Sequence, residues 1–224
     1  KKLHAISEYR KAFKEAAGTE KFTIDQVAQA IASFERTLIT LESPFDQFIA
    51  GKGDAISPEA KRGFELFQGK ARCITCHEVN RTYPFFTDNK YHNIGVAMHG
   101  KNFAELARKA AKGPDTAKLA HEEGASELGR YLVSKQTKDT GAFKTSNIRN
   151  IELTAPYMHD GSLTTLEEVI EFYNKGGEPN PYLDGGIRPL NLTGQEKKDL
   201  VAFLKSLTSK GGANFDWAEL EKIA

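Results

Sequence analysis

The chain has 224 residues and two cysteines, and both fall in the stretch GKARCITCHEVN at 69–80, as Cys73 and Cys76 with His77 directly behind. Three chemistries use thiols at that spacing. A dithiol redox centre of the CxxC type belongs to a βαβ context, which this sequence lacks. A zinc site needs two further ligands, and His92 and His99 are available, but the six residues between them exceed the usual ~3–5. A covalently attached haem uses all three residues. Each thiol adds to a vinyl group of the porphyrin, the two-residue gap matches the vinyl separation on one helical turn, and the next side chain arrives under the iron as proximal ligand. Only this reading gives the histidine a reason to stand at 77. Thiol addition of this kind takes place outside the bacterial cytoplasm, so the expected compartment is the periplasm.

Around the motif the sequence supplies helices joined by long irregular stretches. Leu3, Ile6, Tyr9 and Phe13 recur at helical spacing and Gly18 follows as a stop. TIDQVAQAIASFERTL opens with a capping box, Thr23 with Gln26, and carries Ile24, Val27, Ile31, Phe34 and Leu38 on one stripe. Pro44, Gly51, Gly53 and Pro58 mark residues 43–57 as a linker. Ser57 and Pro58 then start a helix, with Phe64 and Phe67 inward, that ends at Gly69. Residues 78–101 and 124–163 read as loop, separated by a short helix over 102–112. Two more capping boxes, Thr164 with Glu167 and Thr193 with Glu196, start the last helices. The expected domains are therefore 1–42, a linker over 43–57, a main domain over 58–210 and a tail over 211–224. The fold class is all-α, and loops this long need something rigid to pack around, which a large cofactor would provide.

Composition narrows the partners. With 39% hydrophobic residues the chain can build a real core, and 31 basic against 30 acidic residues leave a net charge of +1. No basic excess exists to neutralise a phosphate backbone, so nucleic acid is not expected. The longest apolar runs, such as LVAFL at 200–204, fall far short of the ~20 residues of a membrane span.

The stretches IASFERTLITLESPFDQF, SPEAKRGFELFQGKARCITCH, YHNIGV, GAFKTSNIRNIELTAPYMHDGSLTTLEEVIEFYNKGG and LTGQEKKDLVAFLKSL resemble, in order, the bacterial dihaem cytochrome c peroxidases and their MauG-like relatives. The match runs from about residue 5 to 208 and corresponds to the C-terminal portion of the family pattern, where the electron-transfer haem sits. Members carry two CxxCH motifs and this chain has one.

The resemblance implies a cytochrome c-like helical haem domain, with residues 1–42 a helical unit of the first haem domain, whose own CxxCH lies in a segment or separate chain not included here. It implies a haem that transfers or stores electrons for hydrogen peroxide reduction at a second haem, fed by a small periplasmic donor, a cytochrome c or a cupredoxin. No peroxide-cleaving residue can be named in this portion.

It also implies site residues. Tyr173, in EFYNKGG, stands where peroxidases proper have a methionine and MauG-like relatives a tyrosine ligand; the stripe Leu166, Val169, Ile170, Tyr173 points the phenol inward independently. A tyrosine with its hydroxyl bonded to a backbone carbonyl is the plain alternative, and Met98 is the substitute ligand, with Met158 assigned to packing. A phenolate is hard and anionic and favours ferric iron, whereas a thioether favours ferrous iron. Arg149 is expected near the haem propionates, Thr154 and Pro156 as carbonyl ligands of a calcium ion, and His159 as a hydrogen-bonding residue near the haem. His92 matches a family block with its role open; His4, His99 and His121 read as solvated. A plain electron-carrier cytochrome is the competing function. A carrier needs far less chain and has no use for the helices of residues 3–42.

Overall fold

The computed structural model describes residues 1–37, 42–80, 84–100, 102–113 and 115–209. They fall into two compact units, one ending before Glu42 and one running from Glu42.

In the first unit a single turn, Lys2–Ala5, precedes α1 (Ser7–Ala17) and α2 (Ile24–Glu35). Gly18 ends α1 in the left-handed conformation, and the Thr23–Gln26 capping box starts α2 as the sequence predicts. Phe22 is buried, with the Phe13 ring at 4.0 Å and the His4 ring at 4.1 Å; His4 is exposed, as expected, and also stacks. Ile24, Ile31 and Phe34 of the α2 stripe are exposed; Leu38, assigned to the same stripe, lies outside the described residues.

The second unit is built on two helices far apart in sequence, α4 (Pro58–Gln68) and α7 (Gly194–Lys205). They touch at Gly63, where a β-carbon would lie 2.0 Å from the Asp199 carbonyl oxygen, so only glycine permits the approach. Beside it Arg62 grips the buried Asp199 through two bonds of 2.8 and 2.9 Å. Between and around these helices Phe45, Phe64, Phe67, Phe86 and Phe203 form an aromatic core, with Phe45 and Phe203 edge to face at 5.3 Å.

Phe45 comes from the stretch expected to be a linker. Residues 43–57 instead contain α3 (Pro44–Ile49), started by a Ser43–Asp46 capping box, with Phe45 fully buried. The glycines and prolines that suggested a linker only punctuate a segment anchored by that phenylalanine.

A short α5 (Phe103–Ala111) with the turns up to residue 134 makes a satellite core of Leu106, Leu119, Leu128 and Tyr131, whose hydroxyl donates to the Ala110 carbonyl at 2.8 Å. The only named strands among the described residues, β1 (Tyr91–His92) and β2 (Phe143–Lys144), pair antiparallel, Tyr91 opposite Lys144 and His92 opposite Phe143. Next comes α6 (Leu166–Lys175), capped by Thr165 and Glu168, one residue later than predicted. The fold is all-α in class. Among the described residues no helix is long and apolar enough to cross a membrane.

Candidate functional site

Cys73 and His77 close one turn of helix. The backbone N–H of His77 donates to the Cys73 carbonyl at 2.9 Å, and Arg72, left-handed at φ 56°, turns the chain into it. The two thiols and the imidazole thereby line one cavity of about 520 Å3, within the ~300–1,000 Å3 of cofactor pockets. Its walls are mainly apolar, with Phe67, Leu166, Ile170, Leu200 and Leu204 from α4, α6 and α7. The thiols are not joined to each other; burial pushes Cys73 up to about 12 and raises Cys76 as well, so both are protonated.

His77 is presented as a metal-ligand imidazole should be. Its Nδ1 lies 2.8 Å from the Phe86 carbonyl oxygen, which can only accept, so the proton sits on Nδ1 and the lone pair on Nε2. Burial lowers its pKa against the opposing pull of that carbonyl and of Asp88, which keeps the ring neutral.

Tyr173 lines the same cavity from α6, and its hydroxyl has no hydrogen-bond partner among the described residues. The plain alternative, a core tyrosine satisfied by a carbonyl, is not what the structure contains. Burial raises its pKa, so the phenol ionises there only against a strong cation. The rest of the YNKGG block frames it. Asn174 takes the N–H groups of Leu190 on its backbone carbonyl (3.1 Å) and of Leu192 on its side chain (2.8 Å). Gly177, at φ +67°, lets the Ile94 carbonyl come within 2.3 Å of where a β-carbon would be.

The remaining expected residues are distributed unevenly. Met98 is exposed and does not line the cavity, whereas Met158 does. Thr154 and Pro156 stand at the cavity rim, and neither carbonyl accepts a hydrogen bond among the described residues. His159 lines the cavity, bonded to Glu127 at 2.8 Å and stacked on Phe143 at 3.5 Å. Arg149 does not line it. Its guanidinium is buried on Asp46 through bonds of 2.9 and 2.7 Å, with Nε on the Pro84 carbonyl at 2.9 Å. That engagement sets Arg149 to hold the 84–86 segment, and through it the Phe86 carbonyl on His77.

His92 lies at the cavity edge between two carboxylates unnoticed in the sequence, Asp184 on Nδ1 at 2.7 Å and Asp88 on Nε2 at 2.9 Å. Burial works against its charge, but the two carboxylates outweigh it and raise its pKa. Cys76, Asp88 and His92 are the only described residues grouped closely enough for a metal ion, and His99 is not among them, lying instead 3.8 Å from Asp160 and 3.9 Å from Glu178. The zinc reading thus lacks its fourth ligand. The donors that do converge, two thiols, a neutral imidazole and an unpartnered phenol around an apolar cavity, fit a c-type haem.

A sequence model of the family described as di-haem cytochrome c peroxidase matches residues 1–54. The cytochrome-c peroxidase IdrP1 of Denitromonas iodatirespirans is 39% identical over 92% of this chain and 56% of its own length. The methylamine utilization protein MauG of Methylorubrum extorquens is 37% identical over 95% of this chain and 52% of its own length. The chain belongs to the dihaem cytochrome c peroxidase and MauG-like family. It spans about half the length of the curated relatives it matches. Among solved structures, a MauG-like protein associated with microbial copper homeostasis superposes with a TM-score of 0.65 at 29% identity, over 93% of this chain and 61% of that one. The diheme peroxidase BthA of Burkholderia thailandensis shares the fold, with a TM-score of 0.53 at 23% identity over 78% of this chain and 51% of that one.

Proposed function

We propose that residues 42–209 hold one c-type haem and that it transfers or stores electrons for reduction of hydrogen peroxide at a second haem, carried by a segment or chain outside this sequence. Cys73 and Cys76 attach the porphyrin, His77 ligates the iron through Nε2, and Tyr173 is the second protein ligand. The observation that carries the reading is the convergence of these four side chains on one apolar cavity, with the Tyr173 hydroxyl left without a partner.

The bound haem supplies a one-electron couple. The chain's own residues set what that couple is used for. The Phe86 carbonyl fixes the His77 proton on Nδ1 and so orients the ring. The buried Tyr173 phenol must give up its proton to serve as ligand, and an anionic oxygen donor favours the higher oxidation states of iron. A tyrosine at this position suits a site that stores an oxidising equivalent, as in a MauG-like enzyme, more than a relay. Thr154 and Pro156 offer carbonyls to a calcium ion whose other ligands come from elsewhere. The compartment is the periplasm, where the haem is attached, and the donor is a small cytochrome c or cupredoxin bound weakly at a local patch, since the net charge of +1 gives no long-range steering.

Substituting Tyr173→Phe in the haem-loaded protein tests the assignment. Loss of the anionic donor changes the ferric absorption spectrum and raises the reduction potential. A spectrum and potential identical to the parent protein's would remove Tyr173 from the iron and leave Met158, which lines the same cavity, as the protein ligand to examine.

A further inference from the structure

Basic side chains line the cavity and acidic ones do not. Arg72, Lys144 and Arg188 line it, together with His77, His92 and His159, while no aspartate or glutamate does. Two of these groups are matched from behind: His92 by Asp88 and Asp184, His159 by Glu127. Lys144 meets only a neutral partner, Asn89 Oδ1 at 3.0 Å. Arg72 and Arg188 have no ion-pair or hydrogen-bond partner for their side chains among the described residues. Arg72, half-buried, and Arg188, exposed, are thus the two guanidinium groups of the lining without a protein partner, and a carboxylate in the cavity would pair them.

Both arginines sit on constrained backbone. Arg72 takes a left-handed backbone at φ 56° immediately before Cys73, and its carbonyl accepts from the Thr75 hydroxyl at 2.8 Å. Arg188 lies in a segment pinned at both ends. Upstream, Asp184 is fixed to His92 and its N–H to the Asn93 carbonyl; downstream, Leu190 and Leu192 donate to Asn174. Gly176, at φ +92°, allows that segment to pass, since a β-carbon would stand 2.7 Å from the Pro189 nitrogen.

We propose that Arg72 and Arg188 together form the cradle for the haem's two propionate carboxylates, the task first expected of Arg149. The planar guanidinium fork matches a carboxylate through two parallel bonds. Arg149 does not line the cavity, and its guanidinium is bonded to Asp46 and to the Pro84 carbonyl. The inference rests on the haem reading above, and its test separates the two.

The test compares the haem-loaded parent with Arg72→Gln, Arg188→Gln, Arg188→Lys and the control Arg108→Gln, an exposed α5 arginine that does not line the cavity. The readouts are the propionate bending mode in the resonance Raman spectrum and the reduction potential. The cradle predicts a shifted propionate mode and a lowered potential in both glutamine variants. It predicts a smaller change in Arg188→Lys and none in the control. Glutamine variants that match the control in both readouts overturn the cradle and leave the haem reading intact. If Arg188→Gln fails to load haem where the control loads it, Arg72→Gln and Arg188→Lys decide by the same readouts. A parent protein that loads no haem overturns the underlying reading instead.

Discussion

Replacing Asp46 with alanine should cost the unit of residues 42–209 about 3–5 kcal/mol, the usual penalty for stripping one partner from a buried ion pair. The premise is geometric. Arg149 has 6% of its side chain exposed and Asp46 17%, and two bonds of 2.9 and 2.7 Å join them, so the abandoned guanidinium would have nowhere to hydrate. Against a typical domain stability of ~5–15 kcal/mol the variant would sit close to unfolding. Asp46→Asn keeps the shape and one acceptor without the charge and should fall between the two. The pH dependence carries a second signature. Burial pushes the Asp46 carboxyl up, but the bonds from Arg149 and Ser43 outweigh it and hold it below the usual carboxylate range. A group depressed in the folded state contributes stability that is complete above its unfolded value of ~3.9 and is lost as pH falls through the folded value. Asp46→Ala should therefore lack that part of the acid loss. Urea unfolding of the haem-loaded protein, followed at the haem absorption band between neutral and acid pH, measures both. Because Arg149 also holds the Pro84 carbonyl and lies 5.8 Å from the Phe86 ring, the variant's ferric spectrum should change as His77 loosens. A loss below ~0.5 kcal/mol, the ordinary effect of a surface substitution, or an acid limb parallel to the parent's would refute the clamp.

His92→Gln should change the alkaline side instead. A histidine whose pKa is raised by folding contributes stability that is complete below its unfolded value of ~6.5 and is lost as pH rises through the folded value. The variant should unfold with a flatter profile above neutrality, checked by thermal melts across pH, and an unaltered profile would show that the Asp88–His92–Asp184 contact contributes nothing. Gly177→Ala should cost about 2 kcal/mol or more, since it combines a left-handed backbone costing ~1–2 kcal/mol with a β-carbon 2.3 Å from the Ile94 carbonyl. Gly185→Ala, with nothing within 4 Å and no left-handed φ, is the matched control, and equal losses in the two would discard the argument.

What the sequence revealed and what it hid divide by distance along the chain. The meeting of Cys73, Cys76 and His77 at one cavity was legible because it is local: three side chains on one turn, closed by the His77-to-Cys73 bond. The Tyr173 stripe was legible for the same reason, from the helical period. Arg149 was expected on the propionates from the resemblance of its IRN block, and its engagement with Asp46, 103 residues away, has no local signal. A trace did exist: SPFD at 43–46 has the serine-to-acid spacing of a capping box, but the glycines and prolines around it weighed more heavily. The start of α6 slipped by one residue because Thr164 and Thr165 each have a glutamate three positions on; Glu168 binds the N–H groups of both threonines and so fixes the box at Thr165. Asp88 lies only four residues from His92, but Asp184 comes from 92 residues away, and that contact, like the meeting of Arg72 and Arg188 at one cavity, has no local signal.

The most direct measurement is the mass of the denatured protein, prepared with haem-attachment machinery present, alongside its optical spectrum after unfolding. Attachment at Cys73 and Cys76 predicts a polypeptide that keeps its colour in denaturant and weighs the chain plus one haem, with Cys73→Ser and Cys76→Ser together releasing it. A colourless chain of bare polypeptide mass, obtained under conditions in which a known c-type cytochrome is loaded, would contradict the account at its centre.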